Sequence, residues 1–352
     1  MNNSEPRENA AGYAQKLLDF LAANRQSLSP LLILPHDYPD PDALAAAFAL
    51  HFLARECYGI ESRIVYRGVI GRTENQAMVS ILRIPVHRLK PGDLKKYRQV
   101  ALVDTQPAFE NNPFPANRQA TMAIDQHEST VKPAADLALV DSGCGATCVI
   151  LAQAVLRQNV EIPARVATAL AYGILSDTLN LSRAERPDVA QTYLSILRRA
   201  DMRALARIQN PVRSKRFFVM LGRGIHEAII CGRLIVVHLG RIENLDLVSQ
   251  MAEFLLTYQE SRWSLCTGRY KDSLHVSLRS VKQDGQAGEV LRDAFLNPEQ
   301  AGGHGAIAGG SCPVGADTPE EVWHDKEQEL QKRLMKRLRI SPKGGARKPF
   351  VS

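Results

Sequence analysis

The sequence has no apolar run of about 18 residues or more, so no membrane-spanning helix and no membrane partner is expected. Its first stretch, MNNSEPRENAAGYAQ, is polar with acidic residues, unlike a secretory or transit peptide, and a cytoplasmic location is expected. Cysteine is sparse and scattered: of six, only Cys144 and Cys148 lie close together. Without a second close pair they do not complete a structural zinc site, and reduced, mostly buried thiols are expected. The glycine-rich stretch AGGHGAIAGGSCP at 301–313 lacks the Lys-Ser/Thr ending of a P-loop, which excludes that mode of phosphate binding.

What is present is an ordinary globular composition, 45% hydrophobic and 23% charged, over 352 residues, long enough for two domains. The formal charge of +7, from 44 Lys+Arg against 37 Asp+Glu, favours anionic partners such as nucleotides and nucleic acid. A good part of it sits in KRLMKRLRISPKGGARKP near the end, and 341–352 read as a basic flexible tail.

The chain is organised around 31–50, LLILPHDYPDPDALAAAFAL. Leu31 to Leu34 read as a buried strand and the run from Ala43 as a helix, so His36, Asp37, Asp40 and Asp42 fall in the turn between them. An amphipathic helix over 11–24 precedes it, and SRIVYRG follows the helix as a second strand, giving a βαβ unit and a parallel sheet. Val100 to Gln106 form a further strand ending at Asp104, and Thr121 to Ser129 another that delivers Asp125, Gln126 and His127. Asp177 follows an apolar stretch in AYGILSDTLNLS. All strands of a parallel sheet present their carboxyl ends at one edge, where ligands bind. Each acid taken alone reads as a turn or cap residue. Jointly they crowd carboxylates beside imidazole, and a divalent ion such as Mn²⁺ or Mg²⁺ is the simplest way to offset that charge.

These residues resemble the motifs of the DHH phosphoesterases, and within them the group of nanoRNases, 3′-phosphoadenosine 5′-phosphate phosphatases and dinucleotide phosphodiesterases. The motifs stand here as His36-Asp37-Tyr38-Pro39-Asp40-Pro41-Asp42-Ala43, Val103-Asp104-Thr105, Asp125-Gln126-His127 and Gly173-Ile174-Leu175-Ser176-Asp177-Thr178. The resemblance implies two ions: His36, Asp40 and Asp104 would hold one, and Asp42, Asp104 and Asp177 the other. Asp104 and His127 would be catalytic, with His127 facing the substrate phosphate. The third motif of the family reads Asp-His-His, whereas this chain has Gln126 in the middle. A neutral amide oxygen is a weaker metal donor than imidazole. The second site is then expected to bind loosely, to prefer a harder ion such as Mg²⁺, or to fill only with substrate present.

Farther along, GRLIVVHLG and WSLCTGRYKDSLHVSLRS alternate like strands, with the helix LVSQMAEFLLTYQ between them. The stretch Ala301-Gly302-Gly303-His304 resembles the glycine-rich loop of the DHH-associated domain, which implies that Arg279, Ser280, Gly302, Gly303 and His304 bind the substrate's phosphate. The expected fold is α/β: a parallel-sheet DHH domain over 1–190, a connector over 191–214, and a smaller α/β substrate-binding domain over 215–340 across a cleft. The expected activity is metal-dependent hydrolysis of short oligonucleotides, linear dinucleotides or 3′-phosphoadenosine 5′-phosphate. The alternative is a catalytically weakened nucleotide-binding protein on the same fold. A homodimer is expected from base rates.

Overall fold

The computed structural model describes residues 10–184, 186–282, 285–341 and 345–351. The chain divides into two compact units, Met1–Pro211 and Val212–Ser352. Among the described residues no helix is long and apolar enough to cross a membrane.

The first unit runs α1 (Ala10–Ala23), β1 (Leu31–Pro35), α2 (Pro41–Phe52), β2 (Ser62–Tyr66), α3 (Thr73–Leu82), β3 (Val86–Arg88), α4 (Asp93–Lys96), β4 (Gln99–Val103), β5 (Ala120–Asp125), β6 (Ala135–Val140), α5 (Thr147–Leu156), α6 (Ala164–Asp177), α7 (Pro187–Leu197) and α8 (Met202–Gln209). Its six strands lie in the order β3-β2-β1-β4-β5-β6, and every pairing is parallel. Strand β1 is central and wholly buried, with Leu31 facing Ser62 on one side and Gln99 on the other. An apolar run in that position is what a strand covered on both faces requires. The expected connector is helical up to Gln209: α7 packs on α5 and α6, and α8 on α3, so this stretch belongs to the first unit.

Helix α2 crosses α6 closely because Gly173 has no side chain; a Cβ there would lie 2.9 Å from both Ala45 Cβ and Cys148 Sγ. That contact brings the first turn of α2 and the last turn of α6 together beside the start of α5. Three helix ends thus meet at the carboxyl edge of the sheet.

The second unit runs α9 (Lys215–Glu227), β7 (Ile229–Cys231), β8 (Leu234–Arg241), α10 (Asp246–Leu256), β9 (Trp263–Tyr270), β10 (Ser273–Ser280), α11 (Ala287–Ala294), β11 (Ala301–His304), β12 (Ile307–Pro313), α12 (Glu320–Arg337) and β13 (Ala346–Arg347). Its seven strands are ordered β11-β12-β10-β9-β8-β7-β13, with β8 and β9 parallel across α10 and the other neighbours antiparallel. Most of the glycine-rich stretch is a hairpin, β11 and β12, rather than a loop. A Cβ on Gly303 would lie 2.2 Å from the Ile307 carbonyl oxygen, so strand approach demands glycine there. The expected flexible tail pairs instead: Ala346 faces Cys231 and Arg347 faces Ile230, while Lys348 Nζ reaches Glu227 at 2.9 Å. The open edge of β7 and two acidic side chains, Glu227 and Glu260, give this basic segment its partners.

Candidate metal centre

The chain leaves β1 into a turn whose polar atoms are assigned one by one. Asp40 caps α2, its Oδ1 accepting from the Ala43 amide at 3.0 Å. The Asp37 side chain turns to Arg67, which donates from Nε at 2.7 Å, so Asp37 serves the turn rather than the centre. His36 Nδ1 lies 2.7 Å from the Asp37 carbonyl oxygen. A carbonyl only accepts, so Nδ1 carries a proton and Nε2, the nitrogen that a metal would take on displacing its proton, faces outward. It faces Asp104 Oδ2 at 3.5 Å and Asp40 Oδ1 at 3.8 Å. Ligand atoms of His36, Asp40 and Asp104 all lie within 4.8 Å of one another.

Asp104 follows β4 with φ of +58°, a left-handed conformation that costs a non-glycine residue about 1–3 kcal/mol. That strain buries its carboxylate at the middle of the edge. Its amide donates to the Ile124 carbonyl at 2.9 Å, and Oδ1 accepts from Thr147 Oγ1 at 2.6 Å. Asp42, fully buried, accepts from the Thr147 amide at 2.6 Å and the Cys148 amide at 2.7 Å. Both its oxygens are therefore held by the positive end of α5. Burial, with Asp104 and Asp177 nearby, nevertheless pushes the Asp42 carboxyl well up.

At the end of β5, Asp125 is fully buried and accepts from Gln106 Nε2 and His127 Nδ1, each at 2.8 Å. That hydrogen bond, against burial, raises His127 to about 9, so its imidazole is charged at neutral pH. Ligand atoms of Asp104, Asp125 and His127 form a second group within 4.8 Å. Burial works against a charged His36, but Asp104 and Asp40 beside it hold its pKa well above the ordinary value. Asp177, the last residue of α6, is pushed up to about 8 by burial and by Asp40 and Asp104. Gln126 Nε2 donates to Asp177 Oδ2 at 2.6 Å, so the residue in the variant motif position meets the cluster as a hydrogen-bond donor.

The centre therefore gathers His36, Asp40, Asp42, Asp104, Gln126, His127 and Asp177. Residues outside the expected ligand and catalytic set complete it: Asp125, the first residue of the third motif, holds His127, Thr147 holds Asp104, and Gln106 holds Asp125. The signal for Thr147 is the Gly- and Thr-rich start of α5. One imidazole nitrogen and several carboxylate oxygens, with more negative charge than their neighbours offset, fit a hard or borderline divalent ion.

In the second unit Arg279 is buried, with Nη1 donating to the Leu278 and Ala308 carbonyls at 3.1 Å and Nη2 to Glu253 Oε1 at 3.2 Å. Ser280 is also buried, and its Oγ accepts from the Lys282 amide at 3.2 Å. Gly302 is open, with nothing within 4 Å of a Cβ placed there. The His304 backbone closes β11, and its side chain lies outside the described residues.

A parallel sheet gathering acids and imidazoles from β1, β4 and β5 at one edge defines a class, and residues 30–174 match the DHH family, N-terminal domain. Those residues form a DHH-family N-terminal domain within the first unit. The chain is 32% identical over 294 residues to an uncharacterized protein of Methanocaldococcus jannaschii, covering 82% of this chain and 59% of that protein. It is 29% identical over 153 residues to a probable manganese-dependent inorganic pyrophosphatase of Enterococcus faecalis, covering 43% of this chain and 49% of that protein. The chain thus spans about half to three-fifths of the length of these relatives. An exopolyphosphatase-related protein from Bacteroides fragilis shares the fold, with a TM-score of 0.68 at 14% identity over 92% of this chain and 98% of that one.

Proposed function

We propose that this protein hydrolyses phosphate esters with the help of a divalent cation, acting on short oligonucleotides, linear dinucleotides or 3′-phosphoadenosine 5′-phosphate. The observation that carries the reading is the convergence of His36, Asp40 and Asp104 within 4.8 Å. These three would hold Mn²⁺, or alternatively Mg²⁺. A bound divalent ion supplies an acidified water and offsets charge on the phosphoryl oxygens. The similarity to a probable manganese-dependent pyrophosphatase supports both the metal and the phosphorus chemistry.

The chain's own residues do the rest. The Asp37 carbonyl fixes the His36 tautomer, and Thr147 fixes the Asp104 carboxylate. Asp125 orients His127, whose imidazolium donates from Nε2 to a phosphoryl oxygen or to the leaving group. Asp42 and Asp177, with Asp104, would hold a second ion; Gln126 would then have to give up Asp177. The second unit would act as the DHH-associated domain in a cytoplasmic homodimer, offering the Gly302 and Gly303 backbone to substrate, while Arg279, expected as a phosphate ligand, is instead committed to Glu253 and two carbonyls.

The test is hydrolysis of pApA, 3′-phosphoadenosine 5′-phosphate and a labelled short RNA in Mn²⁺, Mg²⁺ or EDTA. Metal-dependent turnover that vanishes in Asp104→Ala supports the reading, and the product pattern names the substrate class. No turnover with any of the three substrates would overturn it.

The Gln126–Asp177 hydrogen bond favours a second reading, a nucleotide-binding protein with a weakened catalytic centre. A neutral amide there donates a hydrogen bond to the carboxylate in the place of a metal. A large gain of turnover in Gln126→His would mark the second ion site as the weakened part, and tight nucleotide binding without turnover would select this second reading.

A further inference from the structure

We infer that the second unit carries a binding pocket of its own for a nucleotide unit, with Arg233, Arg262, Lys282 and Arg339 taking phosphate and Trp263 taking the base. A cavity of about 760 Å³ opens where three adjacent strands end, and these five side chains line it together with Ser280. Trp263 is the register partner of both Leu234 at the start of β8 and Ser280 at the end of β10. The connecting backbones are tied to one another: the Arg233 carbonyl accepts from the Arg262 and Trp263 amides at 2.8 and 3.1 Å, and the Arg262 carbonyl from Val281 at 3.1 Å. Arg339 arrives from beyond α12, turned by a left-handed φ of +56°. The backbones of Arg233 and Arg262 are thus held side by side, so their side chains leave from neighbouring points at the cavity rim.

Their surroundings point to an anion. No carboxylate is among the described residues lining the cavity, and among the described residues none of the four forms an ion pair. All four are exposed, whereas Arg269 and Arg279 in the same unit are buried against glutamates. Four like charges around one cavity repel one another, and a phosphate that bridges them relieves the repulsion. Guanidinium forks match phosphate oxygens, and an aromatic face beside them suits a base, each stack being worth about 1–3 kcal/mol. A cavity of this size lies within the range of small-ligand sites. This pocket is built from residues separate from the metal centre, so it stands or falls apart from the hydrolytic reading.

A free mononucleotide and one nucleotide of a longer strand present the same chemistry, and one titration separates them. A fluorescein-labelled single-stranded RNA of five nucleotides is titrated with the full chain in EDTA, where no divalent ion holds phosphate. Unlabelled AMP, unlabelled RNA and inorganic phosphate serve as competitors. Saturable binding is expected; competition by AMP names the mononucleotide, and competition by RNA alone names the strand. The Arg233→Glu/Arg262→Glu variant is expected to weaken binding at least about tenfold, through loss of two charge-assisted contacts. It should also flatten the dependence of log affinity on log salt by about 1.4, or 0.7 per lost phosphate contact. Both positions are exposed, so the variant should fold. Trp263→Leu should weaken binding with the salt slope unchanged. Affinity within about twofold of the parent in the double variant, or competition by inorganic phosphate equal to that by AMP, overturns the proposal. Retained binding without metal-dependent turnover removes the hydrolytic reading and leaves this pocket standing.

Discussion

In the second unit the buried Arg269 guanidinium donates to Glu327 from Nε at 3.2 Å and from Nη2 at 2.7 Å, while Thr267 Oγ1 donates to the same carboxylate. In the first unit the buried Asp42 and Asp104 and the half-buried Asp177 lie close together, and the cations beside them are the imidazoles of His36 and His127. Both arrangements take charge out of water, at a cost that only partners offset. The second unit closes its account within the protein. The first leaves negative charge over, which is how a folded chain reserves a place for a cation.

Breaking each arrangement should have opposite consequences. The largest effect is expected from Asp104→Ala: metal-dependent hydrolysis falls at least about a hundredfold, since it removes a central ligand candidate rather than an outer support. Asp104→Asn, which suits the left-handed backbone and keeps an acceptor for Thr147, relieves repulsion, so urea unfolding in EDTA should show equal or higher stability. Glu327→Gln should do the reverse, lowering stability by about 2 kcal/mol in the same titration. The usual cost of orphaning a buried charge is about 3–5 kcal/mol, and here Glu320 stays in contact with Arg269. Turnover by the first unit should be untouched.

A finer test separates holding the metal from placing His127. Asp125→Asn should lower kcat about tenfold while Mn²⁺ affinity, followed by calorimetry, stays near that of the parent. A loss of Mn²⁺ binding equal to that of Asp104→Ala would make Asp125 a ligand instead.

The smallest expected effect concerns His51, away from the centre. Burial, then Arg55, Arg165 and His87, lower its pKa from 6.5 to about 4, and its Nδ1 lies 2.8 Å from Ser62 Oγ. The folded state therefore takes up this proton later than the unfolded chain. Its contribution is complete above pH 6.5 and is lost as pH falls toward 4. The thermal midpoint should fall across that window more steeply in the parent than in His51→Gln.

The sheet and the acids at its edge were legible in the sequence because both follow local rules. Apolar runs mark the buried strands, and an acid just past a parallel strand's carboxyl end must reach the shared edge. What was not legible depends on approach between distant segments. Asp42 is held by amides 105 and 106 residues away, and Gln126 meets Asp177 from 51 residues away. No spacing rule says whether an amide side chain offers its oxygen or its nitrogen. Arg279 reads as a ligand contact until the strand register turns it inward toward Glu253 and two carbonyls. The glycine-rich hairpin was hidden for another reason: without side chains, a strand shows no alternation to read.

The most direct test of the account is a titration of the full chain with Mn²⁺, followed by calorimetry and by urea unfolding, in the parent and in Asp104→Ala. Saturable binding in the parent, with stability rising by about 2.7 kcal/mol at a hundredfold excess over Kd and neither effect in the variant, is the predicted result. A parent that binds neither Mn²⁺ nor Mg²⁺ saturably, or a variant that binds as well as the parent, would contradict a metal centre at His36, Asp40 and Asp104.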